Sequence, residues 1–272
     1  MGSKGTKIEF SRPINVPVPG PGTIQNRRLW TRFASGTYVE DGGYSSYESL
    51  QVKVQTRDWH GLTFLTAYAF AKSIDDLSSD TQGFASQDPN NNNGEKAVSD
   101  YNVRQRFVTS ANYALPFGKN GRGPLALLAK NWEIGSIFTI QAGLPFTPSI
   151  ATDPANTGTS LRPDRIANGA AAQRTLLLDF DPTAFRVPAP FTYGNSGRNI
   201  LYGRTFTNWD FIAVRNFRMR ERFNLQFRAE FFNFTNTPAF ANPVTNIQSA
   251  TVGRILSAGE PRDVQMALKL MF

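Results

Sequence analysis

Apolar side chains occupy every second position in several segments of about ten residues, and this period limits the possible folds more than any other feature of the chain. In the first of these segments, Leu50, Val52 and Val54 alternate with polar neighbours. Successive side chains of a β-strand point to opposite faces, whereas a helix repeats after 3.6 residues. The pattern therefore predicts an all-β chain. The seven predicted strands cover residues 50–55, 62–73, 103–115, 131–141, 208–217, 223–234 and 262–272.

Long apolar segments and helical periodicity are nearly absent. No segment approaches the roughly 18 consecutive apolar residues that a membrane-spanning helix needs, and only residues 124–130 have the pattern of a short helix. The formal net charge is +8, but the basic residues are scattered and form no run typical of nucleic acid binding. The sequence therefore excludes a helical membrane protein and predicts no nucleic acid partner.

The connections between the predicted strands alternate between short and long. Short connections lie at residues 59–61, 116–130 and 218–222, and long ones at 74–102, 142–207 and 236–261. Outer membrane barrels combine short periplasmic turns with long outer loops. Strands of about ten residues, at ~3.3 Å per residue and a ~45° tilt, cover ~23 Å of the ~25 Å apolar band of such a barrel. The pattern predicts an antiparallel transmembrane β-barrel with long extracellular loops.

The two faces of each predicted strand differ in polarity, which in a membrane barrel separates lipid from lumen. In the strand at 223–234, Gln226, Arg228 and Glu230 share the polar face. We expect these three side chains to be luminal, where Arg228 and Glu230 could pair with each other or with residues of a plug. A structural ion pair is favoured, and contact with a substrate is the alternative. A soluble β-sandwich alternates in the same way but buries its apolar face. A soluble all-β binding domain therefore remains an alternative.

The last predicted strand ends the chain with an apolar stripe. Its members are Val264, Met266, Leu268, Leu270 and Phe272. A terminal Phe preceded by alternating apolar residues resembles the β-signal of outer membrane proteins. A strand with a free edge and an apolar outer side offers a template for strand addition. We therefore expect the barrel assembly machinery to be a partner of this strand.

The predicted number of strands is odd, whereas closed single-chain barrels of bacterial outer membranes have an even number from eight upward. In this interpretation residues 1–48 form an outer loop, and the barrel strands and loops occupy residues 49–272. An open sheet in hydrocarbon would leave the backbone groups of its edges without hydrogen bonds. We therefore expect residues 1–272 to be the C-terminal part of a larger barrel.

Residues that could carry chemistry are few. The chain has no Cys and one His, which excludes disulfides, thiol nucleophiles and His-pair metal sites. No Ser–His–acid triad is recognisable around His60. We therefore expect no enzymatic activity and no cofactor.

Carboxylate oxygens suit calcium, although their spacing here is not that of an EF-hand. The calcium candidates are Asp75, Asp76, Asp80, Asp88 and Glu95.

Several long motifs follow one another along the chain. They are GSKGTK (2–7), PVPGPGTIQNRR (17–28), GLTFLTAYAFAKSIDD (61–76), NVRQRFVTSANYALPFGK (102–119), GNSGRNILYGRTFTNWDFIAVRNF (194–217), LQFRAEFFNFTNTPAF (225–240) and GEPRDVQMALKLMF (259–272). Through these motifs the chain resembles the Oar-like branch of TonB-dependent outer membrane receptors over essentially its whole length.

The resemblance implies a 22-stranded barrel, an N-terminal plug and energy delivered by the TonB complex. No plug domain, TonB-contacting box or signal peptide is recognisable in residues 1–272, so we expect TonB to act through an N-terminal region. The implied function is energised uptake or binding of an unidentified nutrient at the cell outer membrane, among lipid and lipopolysaccharide. A passive porin or adhesin-like barrel is the first alternative to such a receptor.

Overall fold

The structure, a computed structural model, describes residues 1–78, 86–117, 123, 129–220 and 223–272. Within these ranges no helix is long and apolar enough to cross a membrane. Short 3₁₀ helices lie at Gln25–Arg27, Asn92–Glu95 and Pro182–Ala184. The strands are β1 (Gly2–Ile14), β2 (Gly36–Trp59), β3 (Leu62–Asp75), β4 (Ala97–Val98), β5 (Gln105–Ala114), β6 (Trp132–Gln141), β7 (Pro145–Phe146), β8 (Asp164–Arg165), β9 (Phe185–Arg186), β10 (Leu201–Tyr202), β11 (Phe206–Arg220), β12 (Phe223–Phe232) and β13 (Asp263–Met271).

The long strands form one antiparallel sheet in the order β1-β2-β3-β5-β6-β11-β12-β13, with β4 beside β3. Each long strand pairs with the next along the chain, so the sheet is a meander. At the β2–β3 turn, His60 and Gly61 have φ values of 54° and 83°, the left-handed conformation that tight hairpin turns require. The all-β, antiparallel architecture predicted from the sequence is confirmed.

The register of the sheet separates two faces, because directly opposite residues on paired strands point the same way. The apolar face carries Leu50, Val52, Val54, Phe64, Tyr68, Phe70, Phe107, Tyr113, Ile134, Phe138, Ile140, Trp209, Phe211, Leu225, Phe227, Phe231, Val264, Met266, Leu268 and Leu270. The polar face carries Gln51, Lys53, Gln55, Arg106, Asn112, Glu133, Gln141, Asn208, Asp210, Asn216, Gln226, Arg228, Glu230, Gln265 and Lys269.

Residues 1–48 were predicted to form an outer loop, and this prediction is wrong. They contain β1 and the first part of β2, so the described residues form eight long strands where seven were predicted. The alternation of β1 is broken by register shifts on both sides of Ile8, and Lys7 has a φ of 56°. Residues 36–48 are largely polar and small. A strand segment outside an apolar band needs no apolar face. Its sequence therefore lacks the alternation of apolar and polar residues that marks the other strands.

The remaining strand predictions differ from the structure by a few residues at their ends. The strand predicted at residues 50–55 lies within the second half of the much longer β2. The short helix predicted at residues 124–130 lies outside the described residues, apart from Ala129 and Lys130.

The long connections all lie at one end of the sheet and pack together. We call residues 15–35, 76–78, 86–104, 142–205 and 233–262 the loop lobe. Its small apolar core is built from Phe146, Phe180, Ala184, Phe185 and Leu201. The ring of Phe180 makes edge contacts with those of Phe146 and Phe185, at centroid distances of 5.7 and 6.1 Å. The loop lobe therefore has a packed interior of its own.

Buried ion pairs tie the connections of the loop lobe to one another. Arg162 binds Glu95 through two nitrogens, with Nη1 2.6 Å from Oε2 and Nη2 3.1 Å from Oε1. The side chain of Glu95 is only 2% exposed. Arg198 pairs with the buried Asp75 and, at 3.3 Å, with Asp100. These pairs join the β6–β11 connection to the β3–β5 connection and to the end of β3.

Replacement of Arg162 by Met should destabilise the loop lobe by about 3–5 kcal/mol, because the Glu95 carboxylate would stay buried without its countercharge. Thermal unfolding in detergent and limited proteolysis of the connections would measure the change. Arg186→Met is the matched control, since its 3.5 Å pair with Asp164 involves a side chain that is 66% exposed, and a loss below about 1 kcal/mol is expected there. Equal losses in the two variants would contradict a supporting role for the buried pair.

Candidate functional site

The predicted luminal residues lie together on the polar face near the end of the sheet. Arg228 Nη2 lies 2.5 Å from Glu230 Oε1, so these neighbours on β12 form an ion pair. Gln226 Nε2 donates to Asn216 Oδ1 of β11 at 3.0 Å. On the other side, Lys269 is opposite Gln226. The three side chains are part of a hydrogen-bonded surface and are accessible from one side of the sheet.

Asp210 belongs to the same surface, although sequence reasoning did not select it. Its carboxylate accepts hydrogen bonds from Asn208 Nδ2 and from the backbone N–H of Asn233, both at 2.9 Å. Asp210 thereby joins β11 to the start of the connection that follows β12. The sequence pattern of β11 makes its polar face hard to recognise. The apolar Ile212 lies two residues from Asp210 and therefore shares its face.

Aromatic side chains gather on the apolar face towards the loop lobe. The ring of Phe234 contacts those of Trp209, Phe211 and Phe231, with centroids 5.3 to 5.8 Å apart. Trp209 Nε1 donates to Ser136 Oγ at 2.7 Å, which satisfies the polar atom of the indole. Such rings combine apolar surface with a hydrogen-bonding group, a combination suited to the boundary between an apolar and an aqueous layer.

The apolar stripe at the C-terminus lies on an edge strand. Met266 and Leu268 are 67% and 70% exposed. Their neighbours across the strand pair are Ala229 and Phe227 of β12. Among the described residues, β13 pairs with β12 alone. The predicted β-signal is therefore an exposed apolar stripe beside an open backbone edge, although its recognition stays a prediction.

The calcium candidates do not converge in the structure. Glu95 is bound by Arg162, and Asp75 by Arg198 and by Ser78 Oγ at 2.8 Å. The described part of the chain contains no group of three acidic or histidine side chains that could hold a metal ion. Asp76 accepts from the backbone of Tyr44, Asp88 accepts from the backbone of Asn90, and Asp80 lies outside the described residues. The buried guanidinium groups already neutralise Asp75 and Glu95, so these two carboxylates serve as structural anchors.

His60 occupies the tight turn between β2 and β3. Its ring makes an edge contact with Trp59 at a centroid distance of 5.6 Å. Both His60 and the neighbouring Asp58 are exposed. His60 is therefore part of an exposed hairpin turn.

Tyr193 is the titratable group whose environment is most altered within the described loop lobe. Burial raises its pKa from 10.0 to about 12, and the carboxylate of Asp88 adds to the effect. A hydrogen bond to Thr157 acts in the opposite direction. Asp153 contributes a smaller increase. The phenol therefore keeps its proton under all ordinary conditions.

This combination of a meander, a face of each polarity and long connections at one end is that of outer membrane barrels. The model of the outer membrane beta barrel domain family matches residues 1–265. The chain belongs to this family, and the protein is located in the cell outer membrane. Comparison with the curated proteins gives no match.

Membership in this family defines the surroundings of the two faces. An outer membrane barrel presents apolar side chains to hydrocarbon and polar ones to its interior. For this chain we accordingly expect the apolar face to contact lipid and the polar face, with Arg228 and Glu230, to be directed inward, which stays a prediction. Long connections of such barrels are extracellular, so the outer position of the loop lobe stays a prediction.

Replacement of Leu268 by Arg tests the orientation of the sheet. Leu268 lies in the middle of the apolar stripe, and a charged residue on the lipid face near mid-bilayer costs about 2–4 kcal/mol. We expect impaired assembly, measured as loss of the heat-modifiable folded band on gels and as lower stability to urea in vesicles. Gln265→Arg is the matched control on the polar face of the same strand. If that variant is impaired and Leu268→Arg assembles normally, the assigned faces are reversed.

Alkaline titration tests the environment of Tyr193. The folded-state pKa of about 12 exceeds the ordinary 10.0, so the contribution of this group to stability is complete below about pH 10 and is lost as the pH rises towards 12. The difference in phenolate absorbance between the wild type and Tyr193→Phe should therefore appear only near pH 12. A difference signal centred on pH 10 would contradict the buried position.

Proposed function

We propose that this chain is the C-terminal barrel region of a TonB-dependent outer membrane receptor that takes up or binds a nutrient. The observation that carries the proposal is the packed loop lobe at one end of the sheet. Passive pores need an open aqueous path, whereas this lobe has an apolar core and buried ion pairs. An ordered outer surface is suited to recognition of a ligand before transport.

The open edge of the sheet supports a larger barrel. Among the described residues, β13 has one neighbouring strand, and at the other side of the sheet residues 50–56 of β2, which follow its pairing with β1, also pair with one strand alone. In hydrocarbon each missing backbone hydrogen bond costs several kcal/mol. Further strands would remove this cost. The resemblance to Oar-like receptors supplies the expected number, 22, and an N-terminal plug through which the TonB complex would act.

The proposal assigns no catalytic chemistry and no cofactor to the chain. Lipid, lipopolysaccharide and the barrel assembly machinery are its proposed partners, with no role for nucleic acid. A soluble all-β binding domain does not fit the outer membrane location. A passive porin or adhesin-like barrel remains the competing function, because it uses the same sheet.

Cross-linking and conductance measurements distinguish the receptor from the porin. We expect the protein, detected with an antibody to residues 264–272, to cross-link to TonB in intact cells and to show no steady conductance after purification and insertion into planar bilayers. Cells that lack TonB provide the control for the cross-link. Steady open-channel conductance without a TonB cross-link would overturn the receptor and favour a passive porin.

A further inference from the structure

A small cavity lies where three connections of the loop lobe meet. Its volume is about 210 Å³. The lining comes from the β1–β2 connection, from residue 86 before β4, and from residues 157–160 of the β6–β11 connection. Hydroxyl groups and one guanidinium dominate its polar lining. These polar residues are Arg28, Ser35, Ser86, Thr157, Thr159 and Ser160.

Hydrogen bonds fix the hydroxyl-rich wall in place. The hydroxyls of Thr157 and Thr159 lie 2.9 Å apart, and Thr159 Oγ1 also donates to the carbonyl of Gln87 at 2.9 Å. Gly158, with a φ of 76°, donates its N–H to Asp153 Oδ2 at 2.7 Å. Each hydroxyl can donate one hydrogen bond and accept others. Because Thr159 donates to Gln87 and Ser86 Oγ donates to Glu95 Oε1 at 3.3 Å, these hydroxyls are fixed and keep their oxygens as acceptors. The wall is thus preformed.

The β1–β2 connection adds an excess of positive charge. No Asp or Glu occurs between Glu9 and Glu40. Arg28 Nη1 donates to the carbonyl of Asn15 at 2.5 Å, while its buried Nε has no hydrogen bond to any described residue. The guanidinium of Arg27 donates to backbone carbonyls only, within the described part of the chain. The described residues that line the cavity include no Asp or Glu.

Apolar side chains project from the segment between Arg28 and Ser35. Leu29, Trp30 and Phe33 are 80%, 52% and 69% exposed. The segment is ordered, because Asn15 Nδ2 donates to the carbonyls of Trp30 and Phe33 at 3.0 Å and Asn15 Oδ1 accepts from the N–H of Trp30 at 2.9 Å. Exposed apolar groups on an ordered segment are typical of a binding surface.

We propose that the cavity and this segment bind a carboxylated sugar, such as a uronate unit of an anionic polysaccharide. The hydroxyl wall matches the ring hydroxyls, Arg28 matches the carboxylate, and Trp30 offers a flat surface to the apolar C–H face of a sugar. The cavity is smaller than the roughly 300–1,000 Å³ of drug-sized ligands. It therefore suits one ring, and the rest of the saccharide would lie along Trp30 and Phe33.

The experiment measures binding of three uronates and their neutral hexoses to the protein purified from outer membranes in detergent. The pairs are glucuronate with glucose, galacturonate with galactose, and mannuronate with mannose. Saturation-transfer NMR measures the binding of each sugar. We expect at least one uronate to bind about tenfold or more tightly than its neutral partner. Absence of binding for all three uronates, or equal affinity within every pair, would overturn the proposal.

Variants locate the site on the surface. Trp30→Ala and Ser35→Ala should each weaken uronate binding, the former by about tenfold, and Arg28→Gln should remove the preference for the charged sugar. Because Arg28 also holds Asn15, the exposed Trp30 provides the variant that leaves the lobe folded. Tyr101→Ala is the matched control, since Tyr101 is 70% exposed on another connection. Equal losses in Trp30→Ala and Tyr101→Ala would overturn the proposed location.

The inference deepens the proposed receptor function and rests on it for the outward position of the loop lobe. Binding in detergent does not require TonB. Loss of the TonB cross-link together with intact uronate binding would therefore contradict the receptor alone. An intact cross-link without uronate binding would contradict the carboxylated sugar alone.

Discussion

Backbone hydrogen bonding in hydrocarbon is the constraint on which the structure depends. A lipid layer supplies no water to unpaired N–H and C=O groups, so a strand can cross it only beside another strand. The meander meets most of this demand, since each long strand pairs with its neighbour along the chain. Among the described residues, the part of β2 that follows Ser49 pairs with β3 alone. The meander also explains the hairpin geometry at His60 and Gly61, where the short turn keeps consecutive strands in register.

The register converts this backbone constraint into two chemically different surfaces. One strand slipped by a single residue would exchange its lipid and interior faces. Arg215 shows how an apparent exception is accommodated, because it lies opposite Trp132 and Phe227 on the apolar face. Its guanidinium lies 4.1 Å from the ring centroid of Phe217 and 5.6 Å from that of Trp132, and the residue is 8% exposed. Aromatic rings shield its charge near the short-turn end of β11.

Sequence periodicity predicts the part of the fold that the lipid layer determines. The parity of β12 was readable because Leu225 and Phe227 alternate with charged residues, and the structure places them as expected. β1 was missed because no lipid layer imposes alternation outside the apolar band, and a bulge beside Ile8 interrupts what remains. The pairing of Glu95 with Arg162 was also out of reach, since the two residues are 67 positions apart and nothing local indicates their contact. For the same reason the cavity beside Arg28 could be found only in three dimensions.

The loop lobe shows why a set of long connections can act as a binding surface. Loops carry recognition best when a rigid scaffold positions them, yet long loops are costly to order. Here the cost is offset by an apolar core around Phe180 and by guanidinium groups that bind carboxylates of distant segments. Calcium would achieve a similar cross-link, but the same carboxylates cannot satisfy a cation and an arginine at once. At Glu95 and Asp75, Arg162 and Arg198 therefore supply the cross-links that a cation would otherwise have to supply.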